Sequence, residues 1–245
     1  YMVQEDLVFP PDLKVVLDVG TTLRIGAGKL VLAQNGIEIR GTKKRPVIVT
    51  SIDPLQHFGS LAVLGKKGTQ SDINHLYVSN GSDRWHAGIF FSGGLSIYHN
   101  DKTRIRNSVF ANNRADDGVN IKHGLVSIED SKFIDNAADH IDLDYCSGSI
   151  VNSQFFMSSP GDSNGDGVDI SGSEMVVKNS TFSGLGDKGI SIGEKSRIYL
   201  TGNVLKSNNM GIAVKDLSLA YLFRNKFEGN VSDISIYQKK KIFGG

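Results

Sequence analysis

One short phrase is written four times between Asp116 and Gly193, and it constrains the fold more than anything else in the chain. The copies are Asp117-Gly-Val-Asn-Ile-Lys122, Asp139-His-Ile-Asp-Leu-Asp144, Asp166-Gly-Val-Asp-Ile-Ser171 and Lys188-Gly-Ile-Ser-Ile-Gly193. Each alternates apolar and polar residues, the period of a strand with one buried face. Val119/Ile121, Ile141/Leu143, Val168/Ile170 and Ile190/Ile192 are expected to point inward. The residues between and around them point outward, and in three of the four copies they are mostly carboxylates.

A second column keeps step with the first. Phe110, Phe133, Phe155, Phe182, Leu205 and Phe227 lie 23, 22, 27, 23 and 22 residues apart. Ser108, Ser131, Ser153, Ser180, Asn203 and Asn225 hold one position ahead of them, and Asn113, Asn136, Asn209 and Asn230 follow. The strand column reads Ile89, Val119, Ile141, Val168, Ile190, Ile212 and Ile234, with its first interval lengthened by the insertion Tyr98 to Thr103. A repeat near 22 residues with two or three short strands fits one coil of a parallel β-helix, each coil about 4.8 Å above the last. Like apolar residues then form internal ladders, while Ser and Asn at the bends bond to neighbouring backbone. Neither a leucine-rich signature nor the long helical pattern of a TIM barrel is present. With 28 Gly and five Pro, the expectation is an all-β solenoid of about nine or ten coils. It forms one domain over 1–245. Residues 1–14 lie across the first coil as a cap, 15–80 form less regular first coils, and 81–238 form the regular ones.

Net charge is +1, which excludes a bulk electrostatic attraction to nucleic acid. The balance is local instead: between Ala115 and Ile170 eleven acidic residues face two lysines. Such a patch suits a cation, or a ligand bridged by one. The lone Cys146 reads as a small packing residue. No apolar run is long enough to span a membrane, and no signal peptide is visible. The chain starts at Tyr1 without Met and is expected to be a processed or excised piece, with further domains in a longer protein.

The aligned coils resemble the right-handed parallel β-helix superfamily of pectate lyases, polygalacturonases and alginate epimerases, over roughly residues 15–240. Asn164-Gly-Asp-Gly-Val-Asp-Ile-Ser171 resembles the Asn-Thr-Asp-Gly strand of polygalacturonases, and Gly189-Ile-Ser-Ile-Gly193 their Gly-His-Gly-Ile-Ser-Ile-Gly strand. The chain departs from that pattern at decisive points. Lys188 stands where that family has its catalytic His, and its Asp-Asp strand and Arg-Ile-Lys motif are missing, so the hydrolase mechanism is not carried over. The sequence also resembles uncharacterised β-helical segments of larger bacterial surface or secreted proteins, some adjoining a spore-coat-kinase-like domain. That resemblance implies a secreted, periplasmic or cell-surface setting concerned with polysaccharide.

Candidate functional residues follow from the register. Asp142 and Asp169 share a column on adjacent coils, and Asp139 and Asp166 stack likewise, with Asp117 below, Lys188 above and Asp144 to the side. Like charges at this spacing raise at least one pKa or demand a cation. Calcium is the expected cation, held by Asp139 and Asp166. Asp162 and Asn164 would assist, since Asp162-Ser-Asn164-Gly-Asp166-Gly167 matches the first half of an EF-hand-type loop. Position twelve is Ser173, so the full loop is excluded.

Three chemistries stay open. A lyase or epimerase would use calcium with Lys188 or His140 as base. A hydrolase would use Asp142 and Asp169 as its carboxylate pair. A scaffold or adhesion module would bind glycan or calcium alone. Asp117, Asn120, Lys122 and Asp144 are candidate substrate contacts, and an exposed Trp85/Phe90 pair would stack on sugar rings. His140 also has a reading as a turn-capping residue, and the acidic residues as solvated turn formers. The favoured partner is an acidic polysaccharide. A groove walled by loops, drawn from 53–86 or 98–104, would favour an enzyme over a flat scaffold.

Overall fold

A column of aromatic rings runs up the middle of the molecule. Phe110, Phe133, Phe155 and Phe182 stack with centroids 5.1, 4.7 and 4.7 Å apart and interplanar angles of 11°, 4° and 3°. All four are fully buried. The computed structural model describes residues 1–159 and 164–244, and the chain winds as a parallel β-helix of about ten coils. Equal positions on successive coils superpose at the strand spacing, so a 22-residue repeat in sequence becomes a ladder in space.

Each regular coil supplies three strands. The first face carries the repeated phrase, on Gly93–Tyr98, the leading halves of Asp117–Glu129 and Asp139–Val151, then Val168–Ser171, Lys188–Gly193, Met210–Lys215 and Ser232–Tyr237. The second face holds Lys102–Arg106, the trailing halves of the two long strands, Glu174–Lys178, Arg197–Thr201 and Leu219–Phe223. The third holds the aromatic column, from Val109–Ala111 to Lys226–Glu228. Coils pair in parallel throughout, with Val119, Ile141, Val168, Ile190, Ile212 and Ile234 in one register. The alternation placed these residues inward, and the first five are fully buried. Ile234, in the last coil, is half-exposed.

The bends are closed by polar ladders. Ser108 N–H donates to Ser131 Oγ at 3.2 Å, Ser131 N–H to Ser153 Oγ at 3.3 Å, and Ser153 N–H to Ser180 Oγ at 3.1 Å. Ser180 N–H donates to Asn203 Oδ1 at 2.9 Å, and Asn203 N–H to Asn225 Oδ1 at 3.0 Å. Buried backbone donors at a bend lack a strand partner, and these side chains supply one. The second ladder joins Asn113 to Asn136 and Asn208 to Asn230, so Asn208 takes the place expected of Asn209. Cys146 is buried, its thiol donating to the carbonyls of Ile121 and Asp144.

Three expectations change. The ladder partner of Val119 is Leu95, not Ile89. Ile89 belongs to an antiparallel hairpin, Arg84–His86 with Ile89–Phe91, which folds over the outside of the first face. Tyr98 to Thr103 is therefore no insertion: Tyr98 and Asn100 are buried within the coil. The stretch 15–80 pairs in register, but with unequal coil lengths: Val15 lies beside Ile37, Val31 beside Leu61 and Ile39 beside Ile73. Residues 1–14 pair as strands of the first coil, Met2–Val3 beside Arg24–Ile25 and Leu7–Val8 beside Val31–Leu32. Val3 and Phe9 pack on the core.

Phe155 stacks on rings above and below, so Phe155→Ala is expected to destabilise the fold by about 3–5 kcal/mol. Phe223→Ala, at a side chain 61% exposed, is expected to change it by about 0.5 kcal/mol or less. Denaturant unfolding of both variants checks this, and equal losses would contradict the stacked core.

Candidate functional site

Three columns of side chains leave the first face outward. The first runs Gly93, Asp117 and Asp139, then Asp166 and Lys188. Asp166 N–H donates to Asp139 Oδ1 at 2.7 Å, and Lys188 N–H to Asp166 Oδ1 at 3.0 Å. Each of these carboxylates thus closes the entry of the strand above, one reason for Asp at this position. The second column is Ser96, Asn120, Asp142, Asp169 and Ser191. The third is Tyr98, Lys122, Asp144, Ser171 and Gly193.

The carboxylates meet as the register requires. Asp139, Asp166 and Asp169 each place an oxygen within 4.8 Å of the other two. Asn120, fully buried, donates from Nδ2 to Asp142 Oδ2 at 2.7 Å. Ser92 Oγ donates to Asp117 Oδ2 at 2.7 Å. Lys122 Nζ lies 2.9 Å from Asp144, and Lys215 Nζ lies 3.7 Å from Asp169 Oδ1 while donating to Ser191 Oγ at 2.6 Å. Among the described residues, the buried Oδ1 atoms of Asp169 and Asn120 accept no hydrogen bond.

This crowding moves proton affinities upward. Burial, then the charge of Asp166, raises Asp139 to about 8. Burial raises Asp117 to about 7 against the lowering hydrogen bond from Ser92, and raises Asp166 to about 6 against the Lys188 charge. Asp142 lies well above the usual carboxylate range through burial, then Asp117, Asp144, Asp169 and Asp139. At neutral pH the face therefore retains protons that ordinary carboxyls release.

The face is also walled on one side. The hairpin buries Phe91 and Ile89 against Leu30, Leu32, Ala62 and Tyr98, and Arg84 ties it to Asp6 at 3.1 Å. A cleft of about 360 Å³ opens between it and the carboxylates, lined by Phe90, Ser92, Asp117, Lys122, Asp139 and Asp142 among others. Trp85, 64% exposed, packs on Phe90 with centroids 5.0 Å apart. Of the two stretches expected to supply walls, 98–104 does not, and 53–86 gives only the supporting strand Arg84–His86, since Phe90 and Ser92 line the cleft.

Most of the expected residues converge: Phe90, Asp117, Asn120, Lys122, Asp139, Asp142, Asp144, Asp166 and Asp169. Two change role. His140 is fully buried, its Nδ1 3.0 Å from Asn136 Nδ2 and its ring beside Phe155, and burial lowers it to about 4. It faces the core, away from the cleft. Lys188 is buried and paired with Asp166 at 3.2 Å and with Asp187. Burial opposes its charge, but these two carboxylates override that and hold its proton above the usual lysine range. Neither is a ready base. Asn164 is exposed just ahead of Asp166, and Asp162 lies outside the described residues. Ser92, Asp187 and Lys215 are additions. Lys215 was legible in principle, since it falls on the third column two coils beyond Ser171 and its long stem reaches back to Asp169.

Three carboxylates suit a hard cation such as calcium, and Asp169 Oδ1, which accepts no hydrogen bond although Lys215 Nζ lies 3.7 Å away, fits that role. Asp139 and Asp166 each commit one oxygen to a backbone N–H, which leaves the set short of the six or more donors that calcium takes.

A carboxyl whose pKa is raised on folding adds stability below its unfolded value, near 3.8, and loses that contribution as pH rises through the folded value. Wild type in chelator is thus expected to lose stability from pH 4 to pH 8 through Asp139, and Asp139→Asn to lose less. Denaturant midpoints across that range test this, and identical pH slopes would refute the shared-proton face.

Residues 156–242 match the family described as right handed beta helix region. No curated protein matches the chain. Among solved structures, the A-module of the mannuronan C-5 epimerase AlgE4 of Azotobacter vinelandii is similar at 12% identity, covering 90% of this chain and 91% of that one, with a TM-score of 0.40. The periplasmic alginate epimerase AlgG gives 13% identity, 98% and 75% coverage and 0.49. Tailspike protein 2 of an Escherichia coli bacteriophage gives 15%, 97% and 38%, and 0.46. With the family match over its C-terminal coils, the chain is an all-β, right-handed parallel β-helix.

Proposed function

We propose that the first face is the working surface of an extracytoplasmic, polysaccharide-active protein that cleaves glycosidic bonds with its own carboxyl groups. The observation that carries this reading is the walled cleft, where half-buried Phe90, with exposed Trp85 packed on it, borders carboxyls that keep protons at neutral pH. A sugar ring stacks on Trp85 and Phe90 and places the bond over Asp142 and Asp169. Protonated Asp142 gives its proton to the departing oxygen. Asp169 attacks the anomeric carbon, and water then releases the sugar while Asp142 takes the proton back. Asp142 and Asp169 are successive rungs of one column, about 4.8 Å apart along the coils, near the roughly 5–5.5 Å of retaining chemistry. Elimination or epimerisation is less well supported, because Lys188 is held protonated and His140 is buried away from the face.

A second reading keeps the surface and removes the catalysis. Calcium bound by Asp139, Asp166 and Asp169 would bridge to the carboxylates of an acidic glycan. The Asp169 oxygen that accepts no hydrogen bond favours it.

Release of reducing ends from acidic and neutral polysaccharides, with calcium or with chelator, separates the two. The hydrolase reading expects product in chelator, a loss in kcat of about 10²–10⁴ for Asp142→Asn, and mainly a raised KM for Trp85→Ala. Unsaturated products, or full activity in Asp142→Asn, would sink it. Stoichiometric calcium binding lost in Asp166→Asn, without cleavage of any polymer, would establish the binding module.

A further inference from the structure

Around the corner from the acidic face, a ladder of aromatic side chains stops abruptly. His99, His123 and Tyr145 stack on successive coils, with centroids 4.7 and 5.2 Å apart. All three stand in the left-handed region, at φ of 56°, 62° and 53°. On the next coil that position is Gly172, following Ser171 as Tyr145 follows Asp144. Its φ is +59°, and a Cβ there would lie 2.7 Å from Tyr145 Cδ1. Glycine thus leaves one face of the Tyr145 ring without a covering side chain, and the residue is 56% exposed.

The missing rung is a groove of about 570 Å³, bordered by Tyr145, Gly172, Ser147, Glu174, Lys195 and Arg197 among others. Lys195 and Arg197 are exposed. Among the described residues, neither has a carboxylate within 4.0 Å. Glu174, the one acid in the lining, sits in register with Arg197 on the coil below. The groove therefore offers an aromatic face, two uncommitted cations and a hydroxyl. Asp142 and Tyr145 lie on the same strand, three residues or roughly 10 Å of chain apart.

We propose that this groove is a subsite for an anionic sugar unit, one carrying a carboxylate or sulfate, of the polysaccharide that occupies the acidic cleft. The proposal rests on the glycan reading of that cleft and narrows it to acidic polymers. The sugar ring lies on Tyr145, and its anionic group is received by Arg197 and Lys195, Arg by its planar fork of donors. A polymer crossing the corner then meets cations on one side and proton-bearing carboxyls on the other, which fixes its direction.

The test is binding to an array of uronate-containing, sulfated and neutral glycans by wild type, Gly172→His, Arg197→Gln and Asp142→Asn. Gly172→His adds a residue that this ladder already carries in the same backbone conformation, with the Tyr145 ring moving aside for its Cβ. Wild type is expected to bind anionic glycans, and whether uronate or sulfated ones respond identifies the charged group. Arg197→Gln and Gly172→His are expected to bind about tenfold or more weakly. Unchanged anionic binding in Arg197→Gln, with loss in Asp142→Asn, would overturn the groove and leave the cleft reading standing. Preference for neutral glycans would overturn the anionic assignment. No binding by wild type to any glycan would remove both readings. Should Gly172→His melt below wild type, Arg197→Gln alone decides.

Discussion

Everything in this molecule follows from the parallel pairing of one coil with the next. Because each coil repeats the register of the one below, a residue is always placed against its own counterpart. For apolar side chains this is favourable without further adjustment: phenylalanine stacks on phenylalanine and isoleucine packs on isoleucine. For Ser and Asn it is also favourable, since a side chain can serve the backbone donor of its neighbour. For aspartate it is costly, because the same repetition sets carboxyl against carboxyl. The fold tolerates the acidic columns by hydrogen bonding Asp139 and Asp166 to strand entries, by bringing in Lys122, Lys188 and Lys215, and by retaining protons.

The same rule explains how much could be read from the sequence. Period two identified the inward residues of the first face, and the 22-residue period identified the Phe and Ser columns, because a ladder has no freedom to rearrange them. Reading failed where the chain leaves the ladder. The hairpin strand Ile89–Phe91 has the alternation of a coil strand, so its sequence fits the column, although its partner is the chain just before it. His140 was misplaced for a subtler reason. Its position is otherwise Gly118, Gly167 and Gly189, and a Cβ on those glycines would meet Asn136, Phe182 and Leu205. The residue ahead of the strand's first core position points inward, so two neighbours share one side and strict alternation breaks. The glycines of that column, with Gly94 and Gly211 on the flanking coils, were the available signal.

The candidate site was legible as a set of columns and not as a cavity. Register brings Asp142 beside Asp169, but nothing in the repeat says that a distant hairpin will lie beside them. That wall is a tertiary event, built from Phe91 and Ile89 packed on residues as far as two coils below, Leu30 and Leu32 among them. The cleft joins a repetitive surface, which supplies closely spaced ionisable groups, to a unique insertion, which supplies shape and aromatic area. Repeats alone would have left a flat, charged plane.

The tether between Arg84 and Asp6 gives the first residues of the chain an influence far from where they sit. Asp6 lies in the opening coil and also accepts the backbone N–H of Leu30 at 2.9 Å, so its carboxyl is held in place before Arg84 reaches it. The orientation of the aromatic wall is therefore referenced to the start of the solenoid, while the carboxyls it faces are referenced to the middle. A shortened chain lacking the opening coil could wind correctly through every later coil and still present its aromatic wall at the wrong angle. Integrity of the fold and integrity of the cleft are separable properties here, and the leading strand belongs to the second.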